Sequence, residues 1–547
     1  MNTAPPQQFP GTVKNSTTGQ PLLSRLWWVI PCLAACVFTA FYLSVHTIGQ
    51  DEVWSFPVIH LPFPKLWAHV NSPGSIDVHP VGMYAAGRVA YLVFGSPRWM
   101  PVLPLIIWFA GVIVFVVSAR PLIRRPWALW VFAALAFMHP QALMWSPAFR
   151  WYPYWSGLGL ILISITLLRP GDRLPSIKLC LLAGLVGAVL VYFSYVTAML
   201  AACIAVAWLV RYGTSRASLA RLAVVLTLGA LLSAPQIIPF FTAHLKGLRG
   251  QQASMLVCAL RLAHGLSIGE AILPWRPAGV CLLLGFLLPA WVAVAWRWFR
   301  RPAWLGDPAR RAELALLVVF LGLVCLGVAS KLSWKTRSFL LLAPISALFL
   351  TLGCQTIRWR AWPALTILAT AVWIATGGYN LLTRTGTAKI GVNMRPDDVV
   401  NKICELAQGR PVLVFTYDGV LPYELNTLRI ERGQPVMVCS SFPDLVRQIP
   451  SGLQGDYQSP ALVFVVETFM DLTSQKEQEV RQTMKQVRSG LSQESLLQLD
   501  YDPDHRIKSH FYRTQLPEYL FVIHYGPPAQ GADYREIIRT FEQLKVP

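Results

Sequence analysis

The 547-residue sequence has little charge for its length, because Asp, Glu, Lys and Arg together make up only 14% of the residues. Soluble globular proteins carry about 25% charged residues. Hydrophobic residues account for 54% of the chain. This balance excludes an ordinary soluble protein and predicts an integral membrane protein that crosses the bilayer many times.

Several sequence patterns that would indicate other chemistry are also missing. The ten cysteines form no C-x-x-C pair and no Cys/His cluster at metal-ligand spacing. Most of them lie in apolar segments, where cysteine packs as a small apolar residue. No internal repeat is found, and the first apolar segment has no clear cleavage site after it. The last third of the chain contains no Gly-rich phosphate loop.

The formal net charge is +20, which could indicate a nucleic-acid partner. The positions of the basic residues favour a different explanation. They fall in alternate short loops between apolar segments, as in membrane proteins whose cytoplasmic loops are basic. We therefore expect membrane lipids, and no nucleic acid, as partners. The basic residues that define these inside loops are Arg120, Arg124, Arg125, Arg169, Arg173, Lys178, Arg211, Arg216, Arg221, Arg297, Arg300, Arg301, Arg310, Arg311, Arg358 and Arg360.

Apolar segments long enough to cross a bilayer recur through most of the chain. A span needs about 20 residues, since a helix rises about 1.5 Å per residue across a hydrocarbon core of about 30 Å. About eleven segments meet this description: 27–48, 100–118, 127–144, 154–168, 178–194, 196–210, 222–241, 279–297, 313–330, 338–355 and 362–382.

These segments divide the chain into three parts. Residues 1–24 are polar and predict a disordered cytoplasmic tail, and residues 25–383 form the transmembrane domain. An odd number of spans places residues 384–547 outside. There, short apolar runs at 412–417, 435–439, 461–467 and 519–524 alternate with helical segments at 396–407 and 473–490. The predicted fold is a polytopic α-helical membrane protein with about eleven transmembrane helices and a C-terminal extracytoplasmic α/β domain.

The adjacent carboxylates Asp51 and Glu52 follow the first apolar segment, at the start of a long first outer loop, 49–99. A carboxylate at the membrane surface can take a proton from an acceptor hydroxyl. It can also hold a divalent metal ion that polarises a phosphate leaving group. The structural alternative is a helix cap, which stabilises a helix by about 1 kcal/mol. The pair alone does not choose between these roles.

Further along this loop, Asp77 and His79 precede a moderately apolar segment, 79–95, that is interrupted by Arg88. We interpret it as a helix that lies at the membrane surface. Asp77 and His79 can face the same cavity as Asp51. Helix capping by Asp77 and an interfacial histidine are equally good explanations of the local sequence.

Cations occur at two other outer positions. Arg150 stands among aromatic residues, where it can bind a phosphate or stack on Trp151; an interfacial aromatic belt accounts for the rings but not for the arginine. Lys331, Lys335 and Arg337 lie in a short loop on the side where the other short loops are not basic. Such cations can neutralise a lipid phosphate or bind ordinary anionic headgroups.

Taken together, these motifs resemble the GT-C superfamily of lipid-phosphate-dependent glycosyltransferases, in particular the bacterial protein O-mannosyltransferase and aminoarabinose-transferase-like branch. That branch has an acidic pair after the first span, a D-x-H-P-P-L-Y-Y surface helix, an outer segment ending in R-x-Y, and a late R-Y-x-x-P segment. The resemblance covers residues 27–355. The matching positions are Asp51–Glu52, Asp77 to His79 and Tyr84, Trp145 to Arg150 and Tyr152, and Arg337 to Pro344.

The chain departs from the family pattern at three places. Val81 and Gly82 stand where the surface helix has its second proline and leucine. Residues 147–149 contain no acidic residue, and Ser338 and Phe339 follow Arg337 in place of a directly adjacent aromatic.

The resemblance implies an inverting sugar transfer from a polyprenyl-phosphate-linked donor on the extracytoplasmic side of a bacterial inner membrane. Asp51 would be the base or a metal ligand, supported by Glu52 or Asp77. Arg150, Lys331, Lys335 and Arg337 would hold the donor phosphate, and His79, Tyr84 and Tyr152 would line the substrate cavity. The acceptor is a protein, a lipid or a polysaccharide. The alternatives are a transporter or flippase of lipid-linked sugars, and a non-catalytic scaffold that binds a partner through its C-terminal domain.

Overall fold

The computed structural model describes most of the helical region and the regular elements of the C-terminal region. The described residues are 27–45, 55–72, 79–94, 99–169, 171, 173–243, 254–299, 307–332, 336–383, 396–416, 421, 425, 435–440, 460–468, 475–500 and 520–544.

In the described part of the first 94 residues, one apolar helix is followed by three helices within the predicted first outer loop. Helix α1 is Val29–Val45, and the loop contains α2 (Phe56–Ile59), α3 (Phe63–Val70) and α4 (Val81–Phe94). Helix α4 occupies the segment predicted to lie at the membrane surface, and Pro80 immediately precedes it, as is common where a helix begins.

Thirteen further α-helices lie in the described part of the helical region. They are α5 (Val102–Ala119), α6 (Pro126–Met138), α7 (Pro140–Trp145), α8 (Trp151–Leu167), α9 (Ile177–Phe193), α10 (Thr197–Tyr212), α11 (Arg216–Ala243), α12 (Met255–Ser267), α13 (Pro277–Leu282), α14 (Leu288–Phe299), α15 (Pro308–Ala329), α16 (Leu342–Cys354) and α17 (Trp362–Thr383). A π-helical turn, Leu283–Leu287, joins α13 to α14, and a short 3₁₀ helix, Thr336–Phe339, precedes α16.

Each of the eleven predicted apolar segments coincides with a helix or a consecutive pair of helices. Six segments are long and apolar enough to cross a membrane, by length and composition: Val102–Leu122, Pro126–Trp145, Arg216–Pro239, Pro277–Arg297, Pro308–Ala329 and Trp362–Thr383. The remaining apolar helices are shorter than 18 residues. The structure is that of a mainly helical integral membrane protein.

Glycines allow two of these helices to meet backbone to backbone. Helices α5 and α8 cross at Gly111 and Gly157, where a Cβ on either residue would overlap backbone atoms of the other helix. Small residues favour close helix packing in membranes, where the hydrophobic effect does not drive helices together. Helix α8 is consequently almost enclosed by its neighbours, with Trp155 and Leu160 fully buried.

The C-terminal region forms a five-stranded mixed sheet with helices on both faces. Its elements, in chain order, are α18 (Pro396–Ala407), β1 (Val412–Thr416), β2 (Val436–Ser440), β3 (Leu462–Thr468), α19 (Gln475–Ser489), β4 (Ser495–Asp500), β5 (Leu520–Gly526) and α20 (Tyr534–Gln543). The strand order is β2-β1-β3-β5-β4. The first three strands are parallel, whereas β5 pairs antiparallel with both β3 and β4.

Alternate residues of β1 and β3 face the two sides of this sheet. Val414 and Phe464 pack in one apolar cluster with residues of α18. Leu413 and Val465 pack in the other with residues of α19 and α20. The α/β character predicted for this region is confirmed, and the sequence prediction missed β4 and α20.

Candidate functional site

Six of the ten predicted site residues fall within the described part of the chain: His79, Tyr84, Arg150, Tyr152, Lys331 and Arg337. The other four, Asp51, Glu52, Asp77 and Lys335, lie outside it.

Arg337 lies against two aromatic rings at one end of the helices. Its guanidinium carbon is 5.1 Å from the centroid of the Trp145 ring and 5.7 Å from that of Tyr152. The two rings meet edge to face, with centroids 5.7 Å apart and an interplanar angle of 89°. A guanidinium beside aromatic rings is attracted to their π electrons and carries five N–H donors. The arrangement orients Arg337 in a way that is compatible with gripping an anion.

Trp145, the last residue of α7, also connects Arg337 to a carboxylate. Its indole nitrogen donates a 2.8 Å hydrogen bond to Oε2 of Glu270. The backbone N–H of Glu270 donates to Oε1 of Gln141 at 2.9 Å, and Nε2 of Gln141 donates to Oγ1 of Thr336 at 3.2 Å. Thr336 immediately precedes Arg337. A buried polar network therefore links α7, the loop after α12 and the segment that carries the arginine.

The backbone at Gly269 makes this network possible. Gly269 has φ = +83°, a conformation that favours glycine. A Cβ there would lie 2.7 Å from the backbone nitrogen of Gln141, which is closer than real contacts allow. Gly269 thus lets the loop approach α7 closely enough for Glu270 to reach Gln141 and Trp145.

Glu270 is a candidate functional residue that the sequence prediction missed. It is the one carboxylate in residues 242–278, whose other charged residues are all basic. A lone carboxylate in a basic outer loop was the available signal. Its partner Trp145, however, is 125 residues away in the chain.

Arg150 lies at the same end of the helices and contacts the first outer loop. Its Nη1 donates a 3.1 Å hydrogen bond to Oγ of Ser55, and both residues are buried. Ser55 immediately precedes α2. Arg150 therefore links the start of α8 to Ser55, three residues after the acidic pair. No local sequence pattern predicts this contact.

His79 and Tyr84 belong to the surface helix and its approach. The rings of His79 and Trp151 have centroids 6.5 Å apart, and Trp151 in turn contacts Tyr152 at 5.8 Å. His79 is thus connected through the ring of Trp151 to Tyr152, one of the two aromatic residues that contact Arg337. Tyr84 is 1% exposed and packs in the apolar core of the helical region.

The departure of the surface helix from the family pattern has a packing explanation. A Cβ at Gly82 would overlap the backbone carbonyl oxygen of Tyr192, near the end of α9. One turn further on, a Cβ at Gly87 would overlap the ring of Phe149. The leucine of the family pattern could not occupy position 82 here without moving α4 away from α9.

Lys331 lies two residues after the end of helix α15 and has φ = +59°. Its backbone carbonyl accepts from the Cys258 thiol at 3.7 Å, so its main chain contacts α12. The described contacts do not join it to Arg337, and its predicted role stays a prediction.

A buried histidine supports the loop that carries Glu270. Nε2 of His264, in α12, is 2.8 Å from the carbonyl oxygen of Ile272. Because a carbonyl can only accept, this nitrogen carries the proton. Burial lowers the pKa of His264, against the opposing effects of that carbonyl and of Glu270. The neutral imidazole therefore connects the end of α12 to Ile272, beyond the residue that supplies the carboxylate.

Among the described residues, no group of three or more His, Cys, Asp or Glu side chains could hold a metal ion. Asp51, the predicted metal ligand, lies outside that part of the chain.

Comparison with known proteins adds a fold relationship. The sequence matches no protein-family model and no curated protein at a significant level. The structure is similar to that of apo ArnT, an aminoarabinose transferase, from Cupriavidus metallidurans, with a TM-score of 0.52 and 12% identity over 96% of this chain and 99% of that one. Similarity to ArnT bound to undecaprenyl phosphate has a TM-score of 0.49, at 12% identity over 95% and 99% of the two chains. An oligosaccharyltransferase of Archaeoglobus fulgidus aligns at a TM-score of 0.44 and 12% identity, over 82% of this chain and 69% of that one.

The likeness to apo ArnT defines the fold class. At 12% identity this likeness shows the fold alone, and an ArnT-like fold is what the motif resemblance led us to expect. Coverage of 96% extends into the C-terminal sheet region, which the motif resemblance over residues 27–355 did not include.

Proposed function

We propose that this protein is a glycosyltransferase that moves a sugar from a polyprenyl-phosphate donor to an acceptor hydroxyl at the extracytoplasmic membrane face. The observation that carries the proposal is the position of Arg337 over Trp145 and Tyr152. It is a fixed cation at the end of the helices where the predicted outer loops emerge.

The reaction requires a base and a site for an anion. The acceptor oxygen attacks the anomeric carbon as its proton passes to a carboxylate, which we assign to Asp51. The bond between the anomeric carbon and the phosphate oxygen breaks, and the polyprenyl phosphate leaves as an anion. Arg337, with Arg150, Lys331 and Lys335, neutralises that phosphate, because guanidinium groups bind phosphate oxygens through paired N–H donors.

Chain connectivity supports this assignment. Asp51 is four residues from Ser55, so its Cα lies within about 14 Å of the Ser55 Cα even for a fully extended chain. Ser55 is the hydrogen-bond partner of Arg150. In the same way, Asp77 is two residues from His79, and Lys335 is adjacent to Thr336. Chain length sets similar upper limits on the distance between Glu52 and Ser55 and between Asp77 and His79.

The fold supports a polyprenyl-phosphate donor and a location in the membrane. ArnT, which shares the fold, has also been crystallised with undecaprenyl phosphate. We therefore propose a bacterial inner-membrane enzyme with about eleven membrane crossings and a cytoplasmic N-terminus. The C-terminal sheet domain lies on the outer side and helps to bind the acceptor. A divalent metal at Asp51 is part of this proposal, to be tested by chelation during the transfer assay.

The test is transfer by the purified protein in vesicles that contain a polyprenyl-phosphate-linked sugar. Asp51→Asn should abolish transfer while the protein remains folded and in the membrane. Asp307→Asn is the matched control: Asp307 accepts from the backbone N–H of Ala309 at the opposite end of the helices, and asparagine preserves such a cap. Full transfer by the Asp51 variant would reject the assignment, and donor movement across the vesicle without transfer would favour a flippase.

A further inference from the structure

The opposite end of the helices carries a cavity of about 580 Å³ that is lined by five arginines. Arg124 and Arg125 come from the turn before α6, and Arg297 and Arg310 come from the facing ends of α14 and α15. Arg358 comes from the loop between α16 and α17. Helix α16 begins beside the Arg337 segment and ends at this cavity, so the two sites lie at opposite ends of one helix.

The cavity retains an excess of positive charge. Arg297 and Arg310 share one carboxylate, that of buried Glu313, at 2.6 and 3.0 Å. The guanidinium groups of Arg124, Arg125 and Arg358 are exposed and have no hydrogen-bond or ion-pair partner among the described residues. Glu313 is the carboxylate that pairs with the arginines of this cavity among the described residues, and Asp307 lies close enough to interact with it electrostatically. The five arginines still outnumber these carboxylates, so an anion bound between them would reduce their mutual repulsion.

The wall of the cavity is held in place by hydrogen bonds. The backbone N–H of Arg124 donates to the side-chain oxygen of buried Gln355 at 3.1 Å. Arg297 also donates to the Leu352 carbonyl oxygen at 3.0 Å. A basic inner face requires only that cations occur in these loops. It does not require that three loops from distant parts of the chain converge on one concave surface.

We infer that this cavity binds a phosphate-bearing anion with more than one phosphate group. Arginine is suited to phosphate because its planar fork donates paired hydrogen bonds. The volume falls within the range of small-molecule sites, about 300–1,000 Å³, and exceeds what one phosphate needs. The exposed ring of Trp296 adds an apolar wall. The ligand is either the headgroup of an anionic lipid, such as cardiolipin, or a soluble diphosphate. The site is separate from the proposed transfer site and does not depend on it.

The experiment uses the full-length protein in phosphatidylcholine nanodiscs. In one arm, pyrophosphate is titrated, and in the other, cardiolipin is included in the nanodisc; the thermal unfolding midpoint is measured in both. The test variant is Arg124→Gln, Arg125→Gln and Arg358→Gln combined. The control, Arg173→Gln, Lys178→Gln and Arg216→Gln combined, removes three exposed cations from other loops predicted to lie on the same side.

We expect pyrophosphate or cardiolipin to raise the midpoint of the wild-type protein and of the control. Each arginine removed should weaken binding about fivefold, and the triple test variant should weaken it roughly a hundredfold. A response to cardiolipin alone identifies a lipid headgroup, and a response to pyrophosphate identifies a soluble ligand. If the triple variant does not fold, Arg358→Gln alone should still show the fivefold loss. No wild-type response in either arm, or equal losses in the two triple variants, would overturn the inference.

Discussion

Glu270 accepts a 2.8 Å hydrogen bond from the indole nitrogen of Trp145, whose ring lies against Arg337. One tryptophan thus contacts a carboxylate through its edge and a guanidinium through its face. The contact joins a loop that the sequence marks only as basic to the segment that carries the predicted phosphate ligand. The position of Arg337 consequently depends on residues from three distant parts of the chain.

Replacing Arg337 tests whether its planar group matters beyond its charge. Arg337→Lys retains the charge but loses the stacked fork, and we expect transfer in the vesicle assay to fall about tenfold or more. Arg337→Gln should lower it further. Lys65→Gln, which removes an exposed cation from α3 in the same outer loop system, should leave transfer unchanged. Equal activity of the lysine variant and the wild type would show that only charge is needed.

Two substitutions of Glu270 differ in whether the side chain can still accept a hydrogen bond. Glu270→Gln retains an oxygen that accepts from Trp145, whereas Glu270→Ala leaves that indole N–H and the Gln141 amide without this acceptor. We expect the alanine variant to lose about 1–3 kcal/mol of stability and the glutamine variant clearly less. Thermal unfolding of the purified protein in detergent measures the difference. Identical midpoints for the two variants would contradict a structural role for these bonds.

Gly82 should be required for the close packing of the surface helix. Gly82→Ala places a Cβ against the backbone carbonyl of Tyr192, which cannot rotate away as a side chain can. We expect a loss of about 1–3 kcal/mol, measured by the shift in the unfolding midpoint. Gly187→Ala is the matched control, since a Cβ there meets no atom within 4 Å. It should be neutral or slightly stabilising, because alanine favours helix more than glycine. A neutral result for Gly82→Ala would falsify the packing explanation.

The buried imidazole of His264 predicts a loss of stability in mild acid. Its pKa is lowered in the folded protein, so between that value and the ordinary histidine pKa of about 6.5 the unfolded chain binds more protons than the folded one. Stability therefore rises with pH in this window and falls as the pH drops below about 6.5. Thermal unfolding measured at a series of pH values should show this slope.

His264→Gln provides the comparison for that pH series. Glutamine can still donate to the Ile272 carbonyl but does not titrate. The variant should therefore have a flatter pH profile, with a lower midpoint above neutral pH if the amide fits less well. An unchanged slope in the variant would assign the acid sensitivity to other groups.

Much of the helical region could be predicted from the sequence because hydropathy is a local property. Each predicted apolar segment coincides with a helix or a consecutive pair of helices, and the interrupted segment at 79–95 contains helix α4. The location of α4 at the membrane surface stays a prediction. Strand β4 was missed because Ser495–Asp500 has no continuous apolar run: it lies at the sheet edge, where Leu496 is 57% exposed. Helix α12 was not predicted, because it lies between the apolar segments 222–241 and 279–297 in a stretch too polar to be taken as a span.

The site was only partly predictable, because its contacts join distant residues. Arg150 and Arg337 were identified as cations on the predicted outer side, where their charge was unusual for the segment. Ser55 and Gln141 have no local feature that marks them, and Glu270 is marked only as a lone carboxylate in a basic segment. The roles of Ser55, Glu270 and Gln141 follow from partners 95, 125 and 195 residues away. The contact of Arg337 with the rings of Trp145 and Tyr152 likewise required helices α7 and α8 to meet.

The sequence by itself determined that this protein is a polytopic membrane protein, which end of its helices carries the unusual charges, and which superfamily its motifs resemble. Those properties follow from hydropathy, charge asymmetry and short motifs, all of which act locally along the chain. Only the tertiary structure decided which side chains hold Arg337 and Arg150, and that five arginines from separate loops surround one cavity. Side-chain contacts between distant segments depend on how closely those segments approach. Glycines allow that approach, between helices at Gly82 and between a loop and α7 at Gly269, through contacts that become visible only in the folded chain.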